Sequence, residues 1–187
     1  GPDLPMAAVS GPANGIPGGA ITVNNTVKAS ATGGGAGNFA VGIYLSTDDV
    51  IDTTDIFLGS RSVDSLAPGA VNANATQVTI PADIQAGAYY IGAVADYLNN
   101  VKESDENNNS LKGNQIEVVK PDLSISAVSG PAAARTGETI IVSNTVTASA
   151  TGAPAGSFTV GIYLSTDAVI TSDDTLLAER QVSGLAP

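Results

Sequence analysis

Apolar and polar positions alternate along much of the chain. From Ile21, residues Ile21, Val23, Val27, Ala29 and Ala31 fall on one side, while Thr22, Asn24, Thr26, Lys28 and Ser30 fall on the other. This is the period-two signature of a half-buried strand. Phe39, Val41, Ile43 and Leu45 repeat it after the Gly33-Gly34-Gly35 turn. Shorter runs at Leu4–Val9, Phe57–Val63, Gln77–Ile80, Tyr89–Asp96 and Gln115–Val119 predict further strands, punctuated by Gly11-Pro12, Ala67-Pro68-Gly69, Ile80-Pro81 and Asn107-Asn108-Asn109. No stretch carries a helical period. Seven short strands in about 119 residues predict an all-β fold, an immunoglobulin-like antiparallel β-sandwich of two sheets. The tryptophan and cysteine pair of antibody domains are absent, so that likeness is one of architecture.

The pattern occurs twice. Residues 2–68 align without a gap to residues 121–187, and about 40 of the 67 pairs are identical. The run Val-Gly-Ile-Tyr-Leu-Ser-Thr-Asp, for example, begins at both Val41 and Val160. Residues 2–119 are therefore expected to form one complete repeat. Residues 121–187 are expected to form the first part of a second, truncated copy, so that the chain reads as a segment of a longer array. The junction Val119-Lys120-Pro121-Asp122 is short, and its proline fixes one dihedral, which suits a stiff connection. Residues 69–119 could complete either half. The half left over would expose a sheet edge and an apolar face, so another chain is expected to cover it, by symmetric pairing or strand exchange.

Composition removes whole classes of chemistry. The 187 residues contain no cysteine, histidine or tryptophan. Thiolate or imidazole metal centres and histidine-based triads are thereby excluded. Seven basic against 18 acidic residues leave a net charge of -11, which repels a phosphate backbone and argues against nucleic-acid partners. No apolar run has the length of a membrane span. Hydrophobic residues make up 43% and aromatic residues 4%, the balance of a β-rich chain with a core of small side chains. An acidic, cysteine-free chain rich in Thr, Ser and Asn fits an exported prokaryotic protein, secreted or at the cell surface, whose targeting segment lies outside these residues.

The order of motifs is more specific. "PDL…VSGP", "VGIYLSTD", "SLAPG", "IPADI-x-AGAYYIGAVAD", "V-x-ES-x-ENNN" and a closing "IEVV" resemble the CARDB domain, the cell-adhesion-related domain of bacteria. The resemblance covers residues 2–119 and the shortened copy. It implies a sandwich fold repeated on surface and secreted proteins, and a role in adhesion.

Two acidic loops are candidate metal sites. Asp48, Asp52 and Asp55 lie within eight residues, and Asp48 and Asp55 recur as Asp167 and Asp174. Calcium takes six to eight oxygens, which carboxylates and backbone carbonyls together could supply. The spacing departs from the EF-hand pattern. The same residues could instead close Asx turns on backbone amides. Asp96, Glu103, Asp105 and Glu106 form the second group, with the same two readings open. If successive strands alternate in direction, the two groups lie at opposite ends of the sandwich. Lys28 is the candidate for an isopeptide crosslink, but its parity places it outward and its counterpart is Thr147.

Catalysis finds little support. A serine nucleophile would have no histidine base, and the glycines of residues 33–37 read as a hairpin connection. Tyr44, Tyr89, Tyr90 and Tyr97 could stack on sugar rings, although alternation sends Tyr89 and Tyr90 to opposite faces. The expected function is a non-enzymatic spacer or adhesion module that meets protein or glycan at a cell surface, with calcium as the one candidate cofactor. The alternative is a carbohydrate-binding accessory domain of a secreted hydrolase.

Overall fold

The computed structural model describes residues 1–187 and contains strands but no helix. Two compact units divide it, Gly1–Val119 and Lys120–Pro187. In the first, β1 (Met6–Ser10), β3 (Ala20–Lys28) and β6 (Val71–Thr79) form a three-stranded sheet in the order β1-β3-β6. Opposite it, β2 (Asn14–Gly15), β4 (Phe39–Ser46), β5 (Ile56–Val63), β7 (Gly87–Ala95) and β8 (Ser110–Val118) form a five-stranded sheet in the order β2-β8-β7-β4-β5.

The inward residues predicted by alternation do meet between these sheets. Val23, Val27, Phe39, Val41, Ile43, Leu45, Ile91 and Ile116 are all buried in one cluster. Each such side chain contributes roughly 1.5–3 kcal/mol relative to exposure. Lys28 is exposed, as its parity requires. Ala31, placed on the inner series, lies beyond the end of β3 and is exposed.

Three strands exceed their sequence signal, among them β8, which begins at Ser110 and not at Gln115. β6 begins at Val71, well before Gln77, because its inward positions include Asn72 and Thr76, whose polarity hides the period. The two-residue β2 is an eighth strand, pairing parallel with β8 through Asn14↔Glu117 and Gly15↔Val118. That pairing fixes the path of the chain. The leading segment runs alongside β8 in the same direction: Asn108 Nδ2 donates to Asp3, the Gly11 amide to Asn114, and the Glu117 amide to Ala13. The polypeptide therefore enters the unit at one end of the sandwich and leaves it at the other.

The second unit comprises β9 (Leu123–Ser129), β10 (Ser143–Ala148), β11 (Phe158–Leu164) and β12 (Thr175–Val182), in two two-stranded sheets. They reproduce the β1–β3 and β4–β5 pairings. Phe158↔Val182 repeats Phe39↔Val63, and the irregularity at Ile43/Tyr44 recurs at Ile162/Tyr163. Strands corresponding to β6, β7 and β8 are not among residues 120–187, and the faces they cover in the first unit are open. Leu45 is 0% exposed and its counterpart Leu164 is 56% exposed; Ile51 is 4% exposed and Ile170 is 63%.

Candidate functional site

The loop after β4 is built from side chains that bond their own backbone. Asp48 Oδ1 accepts from the Val50 amide at 2.9 Å and from the Ser46 hydroxyl at 3.3 Å. Asp55 Oδ2 accepts from the Asp52 amide at 2.8 Å. Asp52 Oδ1 accepts from the Thr54 hydroxyl at 2.5 Å and the Thr54 amide at 2.7 Å. Those Thr54 contacts, the hydroxyl first, hold the Asp52 carboxyl below its usual range. The second copy keeps the geometry: Asp167 accepts from the Val169 amide, and Asp174 from the Thr171 amide, each at 2.7 Å. It does so although Thr171 stands where Asp52 does and Ala168 where Asp49 does. What the two copies share is the turn and not the charge count.

This loop has an apolar purpose as well. It folds Ile51 back onto the outer face of the five-stranded sheet, where Ile51, Tyr44 and Val94 form a second buried cluster against Tyr90 and Tyr97. Gly92 of β7 makes room: a Cβ there would stand 2.5 Å from Ile51 Cδ1. Burial, with Tyr97, Asp55 and Asp52 adding to it, pushes the Tyr44 phenol up to about 12. Beside it Phe57, 48% exposed, stacks on Tyr97 with ring centroids 5.4 Å apart. Lys112 Nζ lies 4.6 Å from the centroid of the Tyr90 ring. Tyr89 points the other way, into the core, and donates its hydroxyl to the Gln85 carbonyl.

At the opposite end, β7 finishes at Ala95, and Asp96 with a φ of 46° then turns the chain sharply. Its two carboxylate oxygens accept from the Asn100 and Val101 amides at 3.0 and 2.7 Å. Glu103 is buried. Its Oε2 accepts from the Leu4 amide at 2.7 Å and its Oε1 from Asn109 Nδ2 at 2.6 Å. Desolvation raises the Glu103 carboxyl above its usual range, opposed by those two hydrogen bonds and assisted by Glu106 and Asp96. Glu106 accepts from the Glu103 amide, and Asp105 from the Asn107 amide. This acidic loop clasps the start of the chain: the Ser104 amide also donates to the Pro2 carbonyl. The two loops lie at opposite ends of the sandwich, since β4 and β7 are antiparallel with Ser46 opposite Tyr90 and Val41 opposite Ala95.

The sequence reading passed over one site. Asn25, 1% exposed, falls on the inward series of β3 and donates to Thr76 Oγ1 and the Val23 carbonyl. Its Oδ1 receives Arg61 Nε–H at 2.6 Å, while Arg61 also donates to Asn72. Burial pushes the Arg61 guanidinium down from its usual value. The signal was available between the copies: Asn25 and Arg61 persist as Asn144 and Arg180, and Arg180 donates to Asn144 at 2.5 Å.

These features define the class first: an all-β sandwich module whose polar side chains serve turns and inter-sheet contacts. The CARDB family profile matches residues 1–113, and the chain belongs to that family, a group of surface-associated prokaryotic domains. Among solved structures it is similar to the CARDB domain of a Pyrococcus furiosus protein in complex with di-metal ions, at 26% identity and a TM-score of 0.46. That likeness covers 63% of this chain and 89% of that one. A domain of a Methanosarcina acetivorans protein named for the cell surface is 21% identical, covering 63% of this chain and 92% of that one, with a TM-score of 0.45. A β-glucosidase from Erythrobacter marinus, at 19% identity and a TM-score of 0.41, is matched over 63% of this chain but only 16% of its own length. No curated protein matches the chain.

The di-metal ions belong to the Pyrococcus furiosus domain. Here no three acidic groups converge on a point that could hold a metal ion. Asp48, Asp52, Asp55, Asp96, Glu103, Asp105, Glu106, Asp167 and Asp174 each accept a hydrogen bond from a backbone amide. Each of these carboxylates thereby closes a turn or ties a loop to its neighbour.

Proposed function

We propose that the chain is a non-enzymatic repeat module of an exported surface or secreted prokaryotic protein, acting as a spacer that holds other domains at a distance. The observation that carries this reading is the path through the first unit. Entry and exit lie at opposite ends, so units joined head to tail extend an array. Pulling on the ends loads the parallel β2–β8 contact in shear, because the Glu117 and Val119 amides donate across it to Ala13 and Gly15. Bonds loaded side by side resist together and do not open one after another. Single-molecule pulling on the intact chain tests this. The spacer reading expects one dominant rupture event for residues 1–119, weakened by Val119→Pro, which deletes one of those donors. Extension at low force without a rupture event would overturn it.

A second reading, a glycan-binding accessory module, draws on the exposed Phe57–Tyr97 ring pair. Glycan-array binding that is lost in Tyr97→Ala would favour it over the spacer.

A further inference from the structure

We infer that Asn14 is a site of spontaneous deamidation, gated by the β2–β8 contact, and that its product loosens that contact irreversibly. Asn14-Gly15 is the one Asn-Gly pair in the chain. Glycine has no side chain to shield its amide nitrogen from the preceding carboxamide, which makes such a pair the most reactive setting for this chemistry. At the same positions the second copy reads Ala133-Ala134 and cannot react. Packing holds the glycine in place, since a Cβ there would strike buried Ile80 Cδ1 and stand 3.1 Å from Ile116 Cδ1. The Asn14 side chain is exposed, and β2 is an edge strand of its sheet. Water therefore has access, and a single neighbouring strand restrains the backbone.

The reaction needs water and no other partner. The Gly15 amide nitrogen gives up its proton and attacks Asn14 Cγ. The N–Cγ bond forms, the Cγ–Nδ2 bond breaks, and Nδ2 leaves as ammonia. Water then opens the succinimide at either carbonyl, which yields aspartate or isoaspartate. One amide and one water become one carboxylic acid and one ammonia, with no change in oxidation state.

The fold controls the nucleophile. The Glu117 amide donates to the Ala13 carbonyl and the Val119 amide to the Gly15 carbonyl. Asn14 lies opposite Glu117 and Gly15 opposite Val118. Between those two bonds the parallel ladder therefore runs through the Gly15 amide and the Glu117 carbonyl. While the ladder is closed, that amide is held extended and cannot swing to Cγ. Reaction proceeds from the open form, at a rate set by how often β2 leaves β8. The product does not return to the same ladder. An aspartate places a second carboxylate beside Glu117, and like charges on facing positions repel. Isoaspartate carries the backbone through Cβ, and the added atom breaks the Gly15↔Val118 register. A reversible opening is thus recorded as a permanent one. This inference rests on the β2–β8 geometry and holds whether or not the chain serves as a spacer.

The test ages the intact chain at mildly alkaline pH, both folded and in urea that unfolds it, and follows each asparagine by peptide mass. Enzymatic methylation counts isoaspartate. Asn14 should convert in the folded chain, more slowly than in urea. Val119→Pro removes one donor from the ladder. It should speed folded-state conversion about two- to tenfold, the range of one hydrogen bond, and leave the rate in urea unchanged. Asn14→Asp, which copies one product, should speed exchange of the Val119 amide while β4 stays protected. Equal rates in folded and unfolded chains, or a folded-state rate unmoved by Val119→Pro, overturn the gate. No conversion in the folded chain while the unfolded chain converts fully overturns the site. Converted or Asn14→Asp chains that keep the Val119 amide as protected as before overturn the consequence.

Discussion

Arg61 of β5 reaches across the sandwich to Asn25 of β3, its Nε 2.6 Å from the amide oxygen, and Arg180 reaches Asn144 in the same way. A partly buried guanidinium needs acceptors, and here neutral amides supply them: Asn25 Oδ1, Asn72 Oδ1 and the Asn72 carbonyl. Polar residues on the inner positions of β6 follow from that need.

Asn25→Ala removes one acceptor from Arg61 and the amide donor to the Thr76 hydroxyl. It should lower the stability of the first unit by about 2 kcal/mol, the range for a hydrogen bond to a charged group. Arg61→Lys should cost a similar amount, because an ammonium cannot reproduce the fork that meets Asn25 and Asn72 together. Urea unfolding reads both.

Gly92→Val should destabilise the first unit by roughly 1–3 kcal/mol through overpacking against Ile51. Combining it with Ile51→Ala should return part of that loss. A double-mutant cycle in thermal unfolding would show the coupling, and purely additive effects would remove the contact from the account.

Glu103 makes stability depend on pH in an unusual direction for a carboxylate. Its folded value lies above the ordinary one, so between the two the folded state binds the extra proton. Its contribution falls as pH rises through that window and is most favourable below the unfolded value, ~4.3. The melting temperature of the native chain should therefore gain on that of Glu103→Gln as pH drops from 7 toward 4. A difference that is flat with pH would contradict the assignment.

In the loop after β4, Asp48→Asn should be nearly neutral, since an amide oxygen still accepts from the Val50 amide. Asp48→Ala should cost about 1 kcal/mol. Calcium and chelator should leave the melting temperature where it is. A chelator-dependent shift would reveal a donor set that the folded loop does not display.

Much of the architecture was legible because strand alternation survives wherever the inner face is apolar, as from Phe39 to Leu45. It fades in β6, whose inner face carries Asn72 and Thr76, and in β2, where two residues leave no period. The acidic loops were legible as loops but not as clasps. Nothing in the local spacing of Glu103 tells that it meets the Leu4 amide 99 positions away. The Gly92–Ile51 contact likewise crosses from a strand to a distant loop. The charge of the loops suggested a cation; the amide contacts that their oxygens also make, in Asx-type geometry, are not encoded in composition. The repeat was the best guide to what matters: Asn25, Asp48, Asp55 and Arg61 keep their roles in both copies, while Asp49 and Asp52 are replaced.

The central claim is that nearly identical strands have different surroundings in the two units, one buried on a complete sandwich and one left at an open edge. Amide exchange along β4 and β11 of the chain alone measures it most directly. Phe39–Ser46 should be among the slowest-exchanging segments of the molecule, and Phe158–Leu164 should exchange faster by orders of magnitude at the amides that face the missing β7. Equal, strong protection of both segments would contradict the account.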